Sequence, residues 1–279
     1  MKFSVLMSVY QRETVDNFVS AIDSVLNQSL PASEIILVKD GALYAELDNV
    51  IDAYMLEHKD VLKVVNSTEN KGLGYALSVG VEACSYNVIA RMDTDDICVA
   101  HRFERQIEFL ESNPEYAVVG SNIQEFNNVP SDLGRYKVNP ESHAELIKQI
   151  KLKSPFNHPS IFFKKDAVLN AGNYNGDLPL FEDYALFLRL WLNNAKFYNI
   201  QQPLLNFRVG TGIATIKRRS GFHYLKKEWR FILYAKKIGA FNYSDLIKYT
   251  LIKFPVRLLP PRFVLFIYNT FLRKKLTNR

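Results

Sequence analysis

Three of the four residues in Asp93-Thr-Asp95-Asp96 are carboxylates, and they close the apolar run that begins at Val88. Like charges crowded at the end of a buried strand repel one another unless a cation or a set of donors offsets them. Hard oxygen ligands of this kind suit Mn²⁺ or Mg²⁺, an ion commonly held by one or two carboxylates together with substrate phosphates. Such an ion would act as a Lewis acid and neutralise a departing diphosphate. The competing local role is capping: Asp95 or Asp96 could cap a helix running from His101 to Leu110, and Asp96 suits that role better than the Asp93 and Asp95 pair. A second acidic pair, Glu182-Asp183, opens an apolar helix containing Leu186, Phe187, Leu188 and Leu190. Negative charge there suits the helix dipole. A carboxylate held half-buried is also equipped to take a proton, because desolvation raises its pKa.

The elements that would position these acids follow a regular rhythm. Phe3 to Val9 is a nearly continuous apolar run, as expected of a central parallel strand. A helix from about Asp16 to Asn27 follows, with Phe18, Ala21, Ile22, Val25 and Leu26 on one face. Strands are expected at Ile35–Val38, Val61–Val65 and from Val88, with helices at Leu43–His58 and Leu73–Ala83 between them. This β-α-β-α-β-α-β order predicts a doubly wound, mostly parallel α/β sheet, which binds ligands beyond the carboxyl ends of its strands. Those ends are Tyr10, Lys39-Asp40-Gly41, Asn66 to Asn70, and Met92 to Asp96. Asn70-Lys-Gly-Leu-Gly74 lacks the Gly-Lys-Ser/Thr ending of a P-loop, and Tyr10-Gln-Arg-Glu13 is not the glycine-rich fingerprint of a dinucleotide site. Gly72 and Gly74 are expected instead to let the backbone approach a ligand before the helix starts. Further on, a strand is expected at Tyr116–Phe126 and a short one at Ser160–Phe163. A helix follows at Tyr184–Leu192, with short strands at Lys196–Ile200 and Leu204–Phe207 around Pro203. From Lys217 the pattern is helical and basic, interrupted by Pro255, Pro260 and Pro261.

Arg91-Met-Asp-Thr-Asp-Asp96 resembles the D-x-D-D motif of the family 2 glycosyltransferases, which adopt the GT-A fold. Ser4-Val-Leu-Met-Ser-Val-Tyr10 resembles that family's opening strand, Leu37-Val-Lys-Asp-Gly41 its second nucleotide-contacting turn, and Asn70-Lys-Gly-Leu-Gly-Tyr-Ala76 its N-x-G-x-x-x-A segment. Asn157-His-Pro-Ser160 and Phe181-Glu-Asp-Tyr-Ala-Leu-Phe-Leu-Arg189 resemble its acceptor-side motifs, so the likeness runs from Met1 to about Arg208. The resemblance implies an inverting, metal-dependent sugar transferase. Asp95 would hold the metal, and Asp93 would contact the donor ribose and share the metal. Ser8 and Tyr10 would line the base pocket, Asp40 would accept from a uracil N–H, and Lys71, Gly72 and Arg91 would face the donor. Asp183 would be the base, assisted by Glu182. His158, Arg189 and Arg208 are weaker candidates for acceptor or phosphate contact. Where many members carry a His shortly after an Arg, this chain has Gly210, so the resemblance supplies no third protein ligand. The motifs look most like those of bacterial O-antigen and capsule enzymes, many of which move galactose or glucose from UDP to a polyprenyl-diphosphate-linked sugar.

Charge divides the 279 residues unevenly. From Lys217 onward there are sixteen Lys and Arg against Glu228 and Asp245, a net +14 that leaves −8 for residues 1–216. We therefore expect a glycosyltransferase domain over residues 1–216 and a basic, aromatic, helical region over residues 217–279 that meets an anionic membrane surface. No apolar run reaches the roughly 18 residues of a membrane span; the longest late candidate is Phe263–Leu272. With no secretory signal evident and only Cys84 and Cys98 as thiols, a cytoplasmic protein peripheral on the inner face of the membrane is expected. No nucleic-acid-binding module is recognisable, and no such partner is expected. Two other classes compete. A sugar nucleotidyltransferase should carry a glycine-rich basic signature after the first strand. A non-catalytic membrane scaffold should tolerate loss of Asp95 or Asp183.

Overall fold

The computed structural model describes residues 1–210, 220–260, 263 and 274–275. Strands β1 (Ser4–Val9), β2 (Glu34–Asp40), β3 (Leu62–Ser67) and β4 (Val88–Asp93) are parallel, in the order β3-β2-β1-β4. The alternation of side chains assigns each strand residue to one of two cores. Val5, Met7, Ile35, Leu37, Ala90 and Met92 meet helices α1 (Val15–Leu26), α2 (Ala45–Glu57) and α4 (Arg102–Ser112). Leu6, Ile36, Val38 and Ile89 meet α3 (Leu73–Ala83) on the opposite face. The chain thus crosses the sheet between β3 and β4. The ends of β1 and β4 flank the switch point where such sheets bind ligands.

Beyond β4 the sheet continues through β8 (Phe162–Lys164), antiparallel to both β4 and β6 (Tyr116–Phe126). Next come β7 (Arg135–Lys137) and β10 (Lys274–Lys275), so the chain's last described residues leave the helical pattern and pair as a strand. The short strand expected at Ser160–Phe163 is β8, which starts two residues later because His158–Ser160 form a tight turn. Pro159 has no N–H for a ladder, and Ser160 N donates back to Asn157 O at 2.9 Å. The two short strands around Pro203 are one strand, β9 (Lys196–Arg208), parallel to β6 and antiparallel to β5 (Ile97–Cys98). An irregularity in register beside Pro203 absorbs its missing donor.

Helices α5 (His143–Gln149), α6 (Lys165–Asn170) and α7 (Glu182–Leu192) complete the first 210 residues. The basic region contributes α8 (Gly221–Lys237) and α9 (Tyr243–Leu258), and both share the core of α3 and α7. Phe231 of α8 is fully buried, stacked on Phe181 at 4.8 Å between centroids and against Tyr184 at 4.6 Å. Buried Glu228 ties the two helices together, accepting from Tyr249 Oη at 3.0 Å and Arg257 Nε at 3.1 Å. Pro255 does not break α9: it lies in the last turn on the exposed side, where solvent can serve the carbonyl of Leu251. The expected boundary between residues 216 and 217 and nearly all of the Phe263–Leu272 run lie outside the described residues. Among the described residues no helix is long and apolar enough to cross a membrane.

Candidate active site

The pairing of β1 with β4 sets Ser8 beside Asp93 at the switch point. Carboxylate oxygens of Asp93, Asp95 and Asp96 all lie within 4.8 Å of one another. Asp93 and Asp95 are half-buried, and Asp96 is fully buried. Burial, then the neighbouring Asp93 and Glu13, push Asp95 up to about 7. Burial and the other two aspartates hold Asp96 well above the ordinary carboxylate range. Arg91, buried one strand pair inward, is ion-paired with Asp93. Burial alone would lower its pKa, but Asp93 and the other acids more than offset that. One guanidinium cannot neutralise three carboxylates, and Asp96 Oδ2 has no hydrogen-bond partner among the described residues. An all-oxygen donor set with excess negative charge fits a hard divalent cation.

Asp96 does not cap α4, whose N-cap is His101 with no side-chain cap bond. Its Oδ1 accepts instead from the backbone N–H of Arg208 at 2.8 Å. The Arg208 guanidinium is engaged as well: Nε donates to Asp95 O at 2.8 Å, Nη1 to Asn127 O at 3.1 Å, and the group stacks 4.4 Å over Phe126. Arg208 therefore frames the acidic corner from β9. Two further supports came from positions with no local signal. Glu13 accepts from Thr94 Oγ1 at 2.7 Å, and fully buried Arg102 donates from Nη2 to Arg91 O at 2.8 Å. In sequence, Arg102 is only a polar residue near the start of an amphipathic helix.

At the ends of β2 and β3, Asp40 is buried and accepts from Lys71 N at 2.8 Å and Gly72 N at 3.0 Å. Its oxygens keep lone pairs for a further donor. Gly41 has φ +86° and a Cβ there would sit 2.7 Å from Asn70 N, so this turn admits no side chain. Gly72, at φ +89°, caps α3, whereas the close approach at Gly74 is to the carbonyl of Asn175. Lys71 Nζ lies 4.9 Å over the Tyr75 ring, and Tyr10 is exposed at the rim.

Across the crevice, Glu182 and Asp183 begin α7. Burial and then the charge of Asp183 push Glu182 up to about 7. Tyr174, absent from the sequence expectations, is buried with its hydroxyl 2.8 Å from His158 Nε2. Burial and then Arg91 drive His158 well below the ordinary range, so the imidazole is neutral. Burial raises Tyr174; Arg91 opposes this, while Asp183, Glu182 and Asp93 add to it. Tyr174 is thus within electrostatic reach of Asp93 and of the Glu182–Asp183 pair, and Arg91 acts on Glu182 as well. Arg189 stands apart. Its nitrogens donate to the carbonyls of Ala185, Ala171 and Asn173 at 3.3, 2.6 and 2.5 Å, which fastens α7 to the preceding loop.

A parallel sheet extended by antiparallel strands, with aspartates at its switch point, is the GT-A architecture. Residues 4–171 match the Glycosyl transferase family 2, and the chain belongs to that family. It is 39% identical over 98% of its length to the whole of an uncharacterized glycosyltransferase of Haemophilus influenzae. It is 37% identical, over 96% of this chain and 98% of the relative, to the amylovoran biosynthesis glycosyltransferase AmsE of Erwinia amylovora. At 34% it resembles an Escherichia coli UDP-Gal:alpha-D-GlcNAc-diphosphoundecaprenol beta-1,3-galactosyltransferase, over 98% of this chain and 97% of that one. The crystal structure of residues 1–349 of TarS from S. aureus shares the fold with a TM-score of 0.60 at 17% identity, covering 75% of this chain and 60% of that one.

Proposed function

We propose that this glycosyltransferase moves a hexose, galactose or glucose, from a UDP-sugar onto a sugar carried on a polyprenyl diphosphate, with inversion, in assembly of a bacterial surface polysaccharide. The observation that carries the reading is the cluster of Asp93, Asp95 and Asp96 at the switch point, with buried Tyr174 in electrostatic reach of Asp93 and of the Glu182–Asp183 pair. The name of the E. coli relative supports the choice of donor and acceptor. Asp93, Asp95 and Asp96 would hold Mn²⁺ or Mg²⁺, which when bound supplies Lewis-acid neutralisation of a leaving diphosphate.

The chain's own residues would do the rest. Ser8 and Tyr10 line the base pocket, and Asp40 accepts from a base N–H while holding the Lys71-Gly72 turn against the donor. Arg91 fixes Asp93 and adds positive charge beneath the phosphates. Asp183 takes the proton of the acceptor hydroxyl as its oxygen attacks the anomeric carbon. The bond from that carbon to the diphosphate breaks on the opposite side, and UDP leaves with the electron pair. Buried Glu182 shares the proton and keeps the acceptor end of the crevice poorly hydrated. Residues 1–216 would form the catalytic domain and residues 217–279 the membrane-facing region of a protein peripheral on the inner face of the cytoplasmic membrane. The test is nucleoside diphosphate release from a panel of nucleotide sugars with Mn²⁺ and a lipid-diphosphate acceptor. UDP-galactose or UDP-glucose should be turned over, and Asp95→Ala should abolish it. Full activity in Asp95→Ala, or after chelation, would refute the metal corner.

A further inference from the structure

Helix α9 is apolar on both sides. Its inner face, with Leu246, Tyr249 and Phe254, packs on the core. Its outer face carries Tyr243, Ile247, Leu251 and Leu258, a stripe at helical spacing, and Leu251 is 70% exposed. An exposed apolar stripe on a helix already packed on its inner face is a candidate second contact surface. Helix α8 adds Phe222, Trp229 and Leu233 to the same surface; Phe222 is 81% exposed. The two stripes adjoin, since Lys236 Nζ of α8 lies 3.8 Å over the Tyr243 ring, and Trp229 packs on partly buried Phe254 at 6.0 Å between centroids. Together they form a patch of the kind that marks an interaction surface.

The charges around the patch select the partner. Lys226, Arg230, Lys237 and Lys248 are all exposed. The acids of these helices are turned to other work. Glu228 is buried against Tyr249 and Arg257, and Asp245 accepts from the backbone N–H of the N-cap Asn242 of α9 and pairs with Lys151 at 2.6 Å. The outward surface of α8 and α9 is therefore apolar and aromatic within a cationic rim, with no acid of either helix facing out. Apolar side chains that can enter the acyl boundary, aromatics at headgroup depth and cations for anionic headgroups match one occupant.

We propose that the outer face of α8 and α9 is a docking surface for an anionic phospholipid bilayer, with Ile247, Leu251 and Leu258 entering it. The docked helices are rigidly joined to the crevice. Phe231 of α8 stacks on Phe181, the residue directly before Glu182-Asp183. A bilayer held on this face sets the acceptor-side carboxylates at a fixed distance from the lipid surface. The inference rests on the membrane-facing reading of residues 217–279 proposed above and deepens it, uses no step of the proposed reaction, and is tested by binding alone.

The experiment is cosedimentation of the full chain with vesicles of phosphatidylcholine alone or mixed with phosphatidylglycerol, alongside Trp fluorescence. The chain should bind the anionic vesicles, less so at high salt, with a blue shift that Trp229→Phe removes. The double variant Ile247→Glu/Leu251→Glu alters only exposed side chains and should keep the wild-type melting temperature. Its vesicle binding should fall about tenfold or more. Binding unchanged in that variant, or equal binding to neutral vesicles, overturns the proposal. So does sedimentation velocity showing a dimer that the double variant splits while vesicle binding persists, because the face would then belong to a second copy.

Discussion

Replacing Glu182 by Gln keeps the side-chain shape and removes its ionisation, so its effect on stability must depend on pH. In the folded protein, burial and the charge of Asp183 raise the carboxyl from 4.5 to about 7. The native state therefore binds this proton more tightly than the unfolded chain does. The stabilisation is complete below the unfolded pKa and is lost as pH rises through the folded one. At about 1.4 kcal/mol per unit, ionised Glu182 destabilises the fold by about 3 kcal/mol at pH ~8.5 and by about 1 kcal/mol at pH ~5. Glutamine does not titrate. Relative to wild type, Glu182→Gln should gain about 2 kcal/mol of unfolding free energy on going from pH ~5 to pH ~8.5. Urea unfolding of both proteins at the two pH values measures this, and the pH-dependent gain should accompany reduced sugar transfer. Stabilities that run parallel across that range would refute the assignment of a desolvated carboxylate at the head of α7.

Two further substitutions probe other parts of the argument. Asp183→Asn should lower transfer by about 10²–10⁴-fold while leaving UDP binding, measured calorimetrically, near wild type; retained transfer would reject Asp183 as the base. Phe231→Ala should destabilise the chain by about 3–5 kcal/mol in urea unfolding, because the side chain is fully buried against Phe181 and Tyr184. A loss below about 1 kcal/mol would mean that α8 is not an integral part of the core.

The parallel half of the sheet was legible because its strands are short apolar runs separated by amphipathic helices of ordinary length. Helix α3 and strand β6 fall where periodicity alone puts them. Pro159 and Pro203 misled in opposite directions. One starts a turn that delays the expected strand by two residues, and the other is tolerated within β9 because the register slips beside it. At the site, the acid clusters announce themselves in sequence, but what holds them does not. Glu13 reaches Thr94, Arg102 reaches the carbonyl of Arg91, and Tyr174 reaches His158 only through the folded topology. Asp96 looked like a cap because capping is decided locally, whereas its actual partner is 112 residues away on β9. The apolar outer face of α9 was hidden too, since composition cannot say which side of a helix the core has claimed.

That long-range clasp has a consequence for synthesis. A nascent chain that has passed Asp96 holds three mutually repelling acids and, of the groups that frame them, only Arg91. The backbone amide and guanidinium that frame them arrive only with Arg208. Three quarters of the polypeptide must leave the ribosome before this corner of the fold can close.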